Sequence, residues 1–125
     1  MPVAIIMRAI LRTTGPILTH IAVRQNGASV FRKVSPEQFL EVAGSLQMAG
    51  LGRLVELRLG GRPPSIVFIK TPPARVQQVL ETDQFSDLCT TTDYAQRYHS
   101  PILSSIPLKM RGELLAQGLV PPECF

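Results

Sequence analysis

The chain has 125 residues, 45% of them apolar and 18% charged, with a formal net charge of +4 and a pI near 9.6. That length suits one domain, and that composition supports a packed core and argues against wholesale disorder. No run reaches the roughly 18 consecutive apolar residues that mark a membrane span, and two cysteines, Cys89 and Cys124, are too few for a disulfide framework.

A reduced, intracellular protein of the cytoplasm or nucleus is therefore expected. Its charge is unevenly spread. Residues 1–75 hold ten Lys/Arg against three acids, Glu37, Glu41 and Glu56, for a net +7; residues 76–125 hold three Lys/Arg against six acids, for a net −3. A basic first part followed by an acidic last part implies an anionic partner for the first, or pairing between the two.

The opening MPVAIIMRAILRTTG lacks a basic segment ahead of its apolar run and is interrupted by Arg8 and Arg12. It reads as part of the fold, with a short mitochondrial presequence as the alternative. Val3 to Leu11 predicts a short helix ended by Gly15-Pro16. In ILTHIAVRQNGASVFRKV, Asn26-Gly27 lies between two alternating runs, the signature of a type I′ hairpin. A two-residue turn there pairs Val23 with Val30, Ile21 with Arg32 and Thr19 with Val34.

SPEQFLEVAGSLQMAG carries a full set of helix signals. Ser35 is an N-cap, Pro36 stands at N1 and Gln38 at N3, while Gly50 can close the end. Phe39, Val42, Ala43, Leu46 and Ala49 recur at helical spacing. RLVELRL then alternates, GGRPP turns the chain, and SIVFIK is continuously apolar, as in a strand covered on both faces. Thr71-Pro72 starts a further helix with Val76, Val79 and Leu80 on its apolar stripe.

The order strand, turn, strand, Ser/Thr-Pro, helix thus occurs twice. It predicts an α+β domain over 1–125: β-β-α-β-β-α, with a four-stranded antiparallel sheet, helices packed on one face, and flanking N- and C-terminal helices. Residues 83–105 read as an irregular segment with a short helix over 92–99. IPLKMRGELLAQG reads as a last helix with Leu108, Arg111, Leu114 and Leu115 on one side, and 119–125 as a loose tail.

An alternative fold comes from Gln38 to Lys70, which runs helix, Gly50-Leu51, strand, Gly/Arg/Pro loop, strand. That order resembles the recognition helix and wing of winged-helix DNA-binding domains, and the resemblance implies direct DNA binding. The Asn26-Gly27 hairpin departs from that pattern, which usually has two helices ahead of the strands.

Motifs for chemistry are not found. His20 and His99 have no acid or cysteine at ligand spacing, Gly60-Gly61-Arg62 leads into a strand and not a phosphate-binding helix, and Ser86 to Asp93 lacks any nucleophile setting. No catalytic residue, metal or cofactor is expected, and no small-molecule substrate or membrane contact. The Ser/Thr residues of 86–92 form a segment open to phosphorylation. What stands out is basic: Arg24, Lys33, Arg53, Arg58, Arg62, Lys70 and Arg75 fall on strands, strand ends or hairpin tips. The expected role is a non-enzymatic interaction module or complex subunit in a nucleic-acid-handling assembly, with the basic hairpins as contact surface. A protein partner or self-association is expected, with nucleic acid as a further partner. The competing explanation of these residues is protection of sheet edges against aggregation.

Overall fold

The computed structural model describes residues 2–19, 33–58, 65–99 and 108–120. The expected Asn26-Gly27 hairpin, with Arg24, falls outside these residues, as do Arg62 at the tip of the second hairpin and Cys124. Five helices and three strands are described: α1 (Val3–Leu11), β1 (Ile17–Leu18), α2 (Pro36–Met48), β2 (Gly52–Leu57), β3 (Ser65–Lys70), α3 (Pro73–Leu80), α4 (Thr91–Tyr98) and α5 (Leu108–Ala116).

The described sheet is antiparallel with order β1-β3-β2, and three-stranded rather than four-stranded. Most of the expected first hairpin lies outside the described residues, so a four-stranded sheet is not shown. Among the described residues its first run contributes Ile17 and Leu18, which pair with Ile69 and Phe68 of β3. The second hairpin forms as its alternation predicts, with Arg53 opposite Ile69, Val55 opposite Val67 and Leu57 opposite Ser65. Being central, β3 is covered on both faces, which explains its unbroken apolar run: Val67, Phe68 and Ile69 are all buried.

Helices lie on both faces of the sheet, α1 to α4 on one and the C-terminal helix α5 on the other. Leu18 and Phe68 join the main core with Ile6, Ile10 and Leu11 of α1, Phe39, Val42, Ala43 and Leu46 of α2, Val76 and Leu80 of α3, and Tyr94 and Tyr98 of α4. Ile17, Leu57, Val67 and Ile69 belong to a second core with Met110 and Leu114 of α5 and Val120. Adjacent strand residues point to opposite faces, so Ile17 and Leu18 feed different cores. Of the expected tail, 119–125, the first two residues are described: Val120 is buried in this core and Leu119 packs beside it. In α5 the inward residues are Met110 and Leu114, whereas Leu108 is exposed.

The helix signals near α2 act as expected. Ser35 Oγ accepts from the Gln38 N–H at 3.1 Å, and Gly50 takes the left-handed conformation at φ 85°. Thr71 behaves differently from Ser35. Its hydroxyl donates to the Gly50 carbonyl at 2.9 Å, which leaves Pro72 at the α3 N-cap with no side-chain bond. The corner after β3 is thereby fastened to the turn between α2 and β2.

Gly52 is needed for close approach at this corner. A Cβ there would run into the Phe68 ring and lie 2.8 Å from the Ile69 carbonyl oxygen. Gly52→Ala is expected to cost about 1–3 kcal/mol through overpacking, read as a lowered urea midpoint with unchanged slope.

Candidate functional site

Two groups of polar residues compete for attention: the basic positions singled out above, and a cluster between α1, β3 and α4. The cluster centres on Asp93, in the first turn of α4, whose own cap is Thr90 Oγ1 accepting from the Asp93 N–H at 3.1 Å. Asp93 Oδ2 accepts from Arg12 Nε at 3.1 Å and Oδ1 from Arg97 Nε at 3.1 Å. Arg97 also donates to the Arg12 carbonyl at 2.8 Å, and the Gly15 N–H donates to the Arg97 carbonyl at 2.7 Å. Partial burial would raise the Asp93 pKa, but hydrogen bonding and charge from Arg97, then Arg12, outweigh it and hold the carboxyl below its ordinary value.

Beside this lies Lys70, at the end of β3 and 1% exposed. Its Nζ donates to the Thr13 carbonyl at 2.6 Å and stands 5.9 Å from the centre of the Tyr94 ring. The nearby acid is not its own: Asp93 is divided between Arg12 and Arg97. Burial therefore dominates and lowers the Lys70 pKa to about 7, opposed by Cys89 and assisted by Arg97. The same burial, with the Asp93 charge, raises the Cys89 thiol to about 11, and burial raises Tyr94, whose hydroxyl donates to the Thr71 carbonyl at 2.6 Å. Cys89 is thus held as a thiol, a form with little nucleophilic character.

This cluster is structural in its connections. The bonds of Arg12, Thr13 and Gly15 described above tie the chain after α1 to β3 or α4, and the Asp93–Arg97 pair within α4 holds the carboxylate between the two arginines. Asp93→Asn is expected to cost about 1–2 kcal/mol at pH 7, a figure lowered for the partly exposed guanidiniums. Because the folded pKa is depressed, the carboxylate stabilises the fold above its unfolded pKa, and the contribution is lost as pH falls through the folded value. Thermal unfolding of the two proteins should converge in strong acid.

The basic positions are arranged otherwise. Lys33 is exposed just before α2, Arg53 and Arg58 are exposed at the two ends of β2, and Arg75 is exposed on α3. Lys70 leaves the set, since its side chain is interior and not on the surface. Arg53 and Arg58 are about 16 Å apart along the strand. Arg53 shares the face of Val55 and Leu57, whereas Arg58 falls on the face of Glu56, which it meets at 3.7 Å with its side chain 84% exposed. The exposed arginines of β2 thus bracket the strand, one from each face.

Among the described residues no group of three or more His, Cys, Asp or Glu side chains is placed to hold a metal ion, and no helix is long and apolar enough to cross a membrane. His99 caps the C-terminal end of α4, with its ring edge-on to Tyr98 at 5.2 Å. Comparison with protein-family models, characterised proteins and solved structures finds no match to this chain.

The Asp93 cluster was not anticipated. Its bonds join residues 81 and 85 positions apart. The visible hints were local: Arg8 and Arg12 at i,i+4, and Asp93 and Arg97 at i,i+4. Neither pair names the other as its partner.

Proposed function

We propose that the chain is a non-enzymatic interaction module, a subunit that docks a protein partner within a nucleic-acid-handling assembly through its β2–β3 hairpin. The order α1, β1, α2, β2, loop, β3 with sheet order β1-β3-β2 resembles the helix and wing of winged-helix domains. In such a domain direct DNA binding would place α2 in the major groove.

The observation that favours a protein partner is the exposed surface of α2. It carries Glu37, Glu41, Ser45, Gln47 and Met48, and no Lys or Arg. Two carboxylates facing a groove walled by phosphates would repel it. Exposed arginines lie on the hairpin, Arg53 and Arg58, and on α3, Arg75, and Lys70, Arg12 and Arg97 are engaged within the molecule.

Fluorescence anisotropy with a 20-base-pair duplex tests the choice. Weak retention at low salt that disappears near 150 mM salt is expected, without sequence preference. Glu37→Lys with Glu41→Lys should raise duplex affinity by about tenfold or more. Tight, sequence-dependent binding by the unaltered protein at 150 mM salt would contradict the proposal and support direct reading of DNA by α2.

A further inference from the structure

The partner class can be narrowed from the edge of β2, on the reading that the hairpin is the contact surface. In the order β1-β3-β2, β2 has no neighbouring strand on its second side among the described residues. Residues along one strand of an antiparallel ladder turn their main-chain groups alternately to either side. Two bonds fix which set faces out. The Leu54 N–H donates to Gln47 Oε1 at 2.6 Å. The Lys70 N–H, opposite Gly52, turns away from β2 to the Pro16 carbonyl at 2.7 Å. Gly52, Leu54 and Glu56 therefore face the open side, and Arg53, Val55 and Leu57 exchange bonds with β3. No described residue takes up the outward N–H and carbonyl of Glu56.

Three observations say what this edge accepts. The amide oxygen of Gln47, an exposed side chain, takes the Leu54 N–H from the side where a strand would add, so an added strand has to displace it there. Arg53 and Arg58 lie on opposite faces of β2, so a ligand on either face meets one of them, whereas a ligand in the plane of the sheet meets both. Two exposed apolar side chains lie close by in sequence or register: Met48, 90% exposed, follows Gln47, and Ile66, 42% exposed, pairs across from Glu56.

We infer that the open edge of β2 binds an extended acidic segment of a partner protein by strand addition, with Asp or Glu five positions apart so that one carboxylate faces Arg53 and the other faces Arg58. The main chain supplies the register and the two arginines supply the charge preference. Pairing with the same edge of a second copy is disfavoured by charge. Centred on Glu56, it would set two Glu56 carboxylates opposite each other and crowd four arginines along one ladder.

The test uses the full chain and a fluorescein-labelled nonapeptide of Val and Thr with Glu at positions 2 and 7. Glu56→Pro removes an outward N–H without touching the β3 ladder; Glu56→Gln controls for the lost charge. Strand addition predicts binding to the unaltered protein, weakened roughly tenfold or more by Glu56→Pro and not by Glu56→Gln. The same peptide N-methylated at alternate residues, assayed on the unaltered protein, should lose affinity equally, which guards against misfolding of the proline variant. Equal binding of both peptides would overturn strand addition while leaving the hairpin as a charged contact surface. No binding of the nonapeptide would overturn the acidic-segment inference, and a partner still lost on Arg53→Glu with Arg58→Glu would show that the broader reading survives. Concentration-dependent self-association abolished by Glu56→Pro would overturn it in favour of a second copy.

Discussion

Lys70→Met will stabilise the protein at pH 7 and remove most of the dependence of its stability on pH between 7 and 9. The folded Lys70 amine is held at about 7, against an ordinary 10.5. Between those values the unfolded chain binds more protons than the folded one, so stability rises with pH. The preference for the neutral form is worth on the order of 3–5 kcal/mol, and about 2 kcal/mol of it is recovered between pH 7 and 9. Above pH 9 Cys89 acts in the opposite sense. Its folded value is about 11 against 9.0, so the folded state holds the proton that the unfolded state gives up, and stability falls. The window of 7 to 9 isolates Lys70.

Methionine keeps an unbranched stem of similar length and removes the buried cation, at the cost of leaving the Thr13 carbonyl without its donor. That loss is about 1–3 kcal/mol. The balance at pH 7 is a gain of about 2 kcal/mol, shrinking toward zero near pH 9. Urea unfolding at pH 6, 7, 8 and 9 measures it. A lysine whose removal destabilises the fold equally at every pH would contradict this account of the site.

The second large effect is expected at Phe68. This side chain is fully buried on the middle strand, its ring stands over Gly52, and its neighbours in the main core come from α1, α2, α3 and α4. Phe68→Ala should cost about 3–5 kcal/mol. Single domains of this size have about 5–15 kcal/mol in all, so a large share of the stability is lost, read as a markedly lowered urea midpoint. Leu114→Ala, in the second core with α5, provides the contrast. Both substitutions should lower the midpoint in one cooperative transition if the sheet couples the two cores. Separate transitions for Leu114→Ala would show that α5 docks independently.

Local signals carried much of the fold. Val3–Leu11, α2 with its Ser35 cap and Gly50 ending, and the β2–β3 hairpin all follow from spacing, capping and turn chemistry near at hand. The sheet's extent did not follow. The alternation around Ile17 marks extended chain, but pairing is a long-range choice, and among the described residues β1 joins β3 across some fifty positions through two pairs. The placement of α5 was likewise hidden: Met110 and Leu114 were chosen by the face of β3 that α1 to α4 leave uncovered. A covered strand reads apolar whichever helices cover it.

The basic positions show the same limit at the level of the site. Composition marked Lys70 and Arg58 alike as strand residues beside polar turns. Burial separates them. Lys70 lies at the inner end of β3, where its stem fills the space by Tyr94, while Arg58 lies beyond the end of β2. Nothing within a few positions of either distinguishes these environments. The outward edge of β2 became visible only through the bond from Leu54 to Gln47, two residues seven apart, which the helix and strand patterns bring close without predicting.

The central claim is that the β2–β3 hairpin holds a protein partner. Affinity capture from nuclease-treated lysate, with the unaltered chain beside Arg53→Glu with Arg58→Glu, tests it most directly. The predicted result is a defined partner that survives nuclease and is lost from the double variant while that variant stays folded. Capture that vanishes with nuclease, or that is indifferent to both arginines, would contradict it.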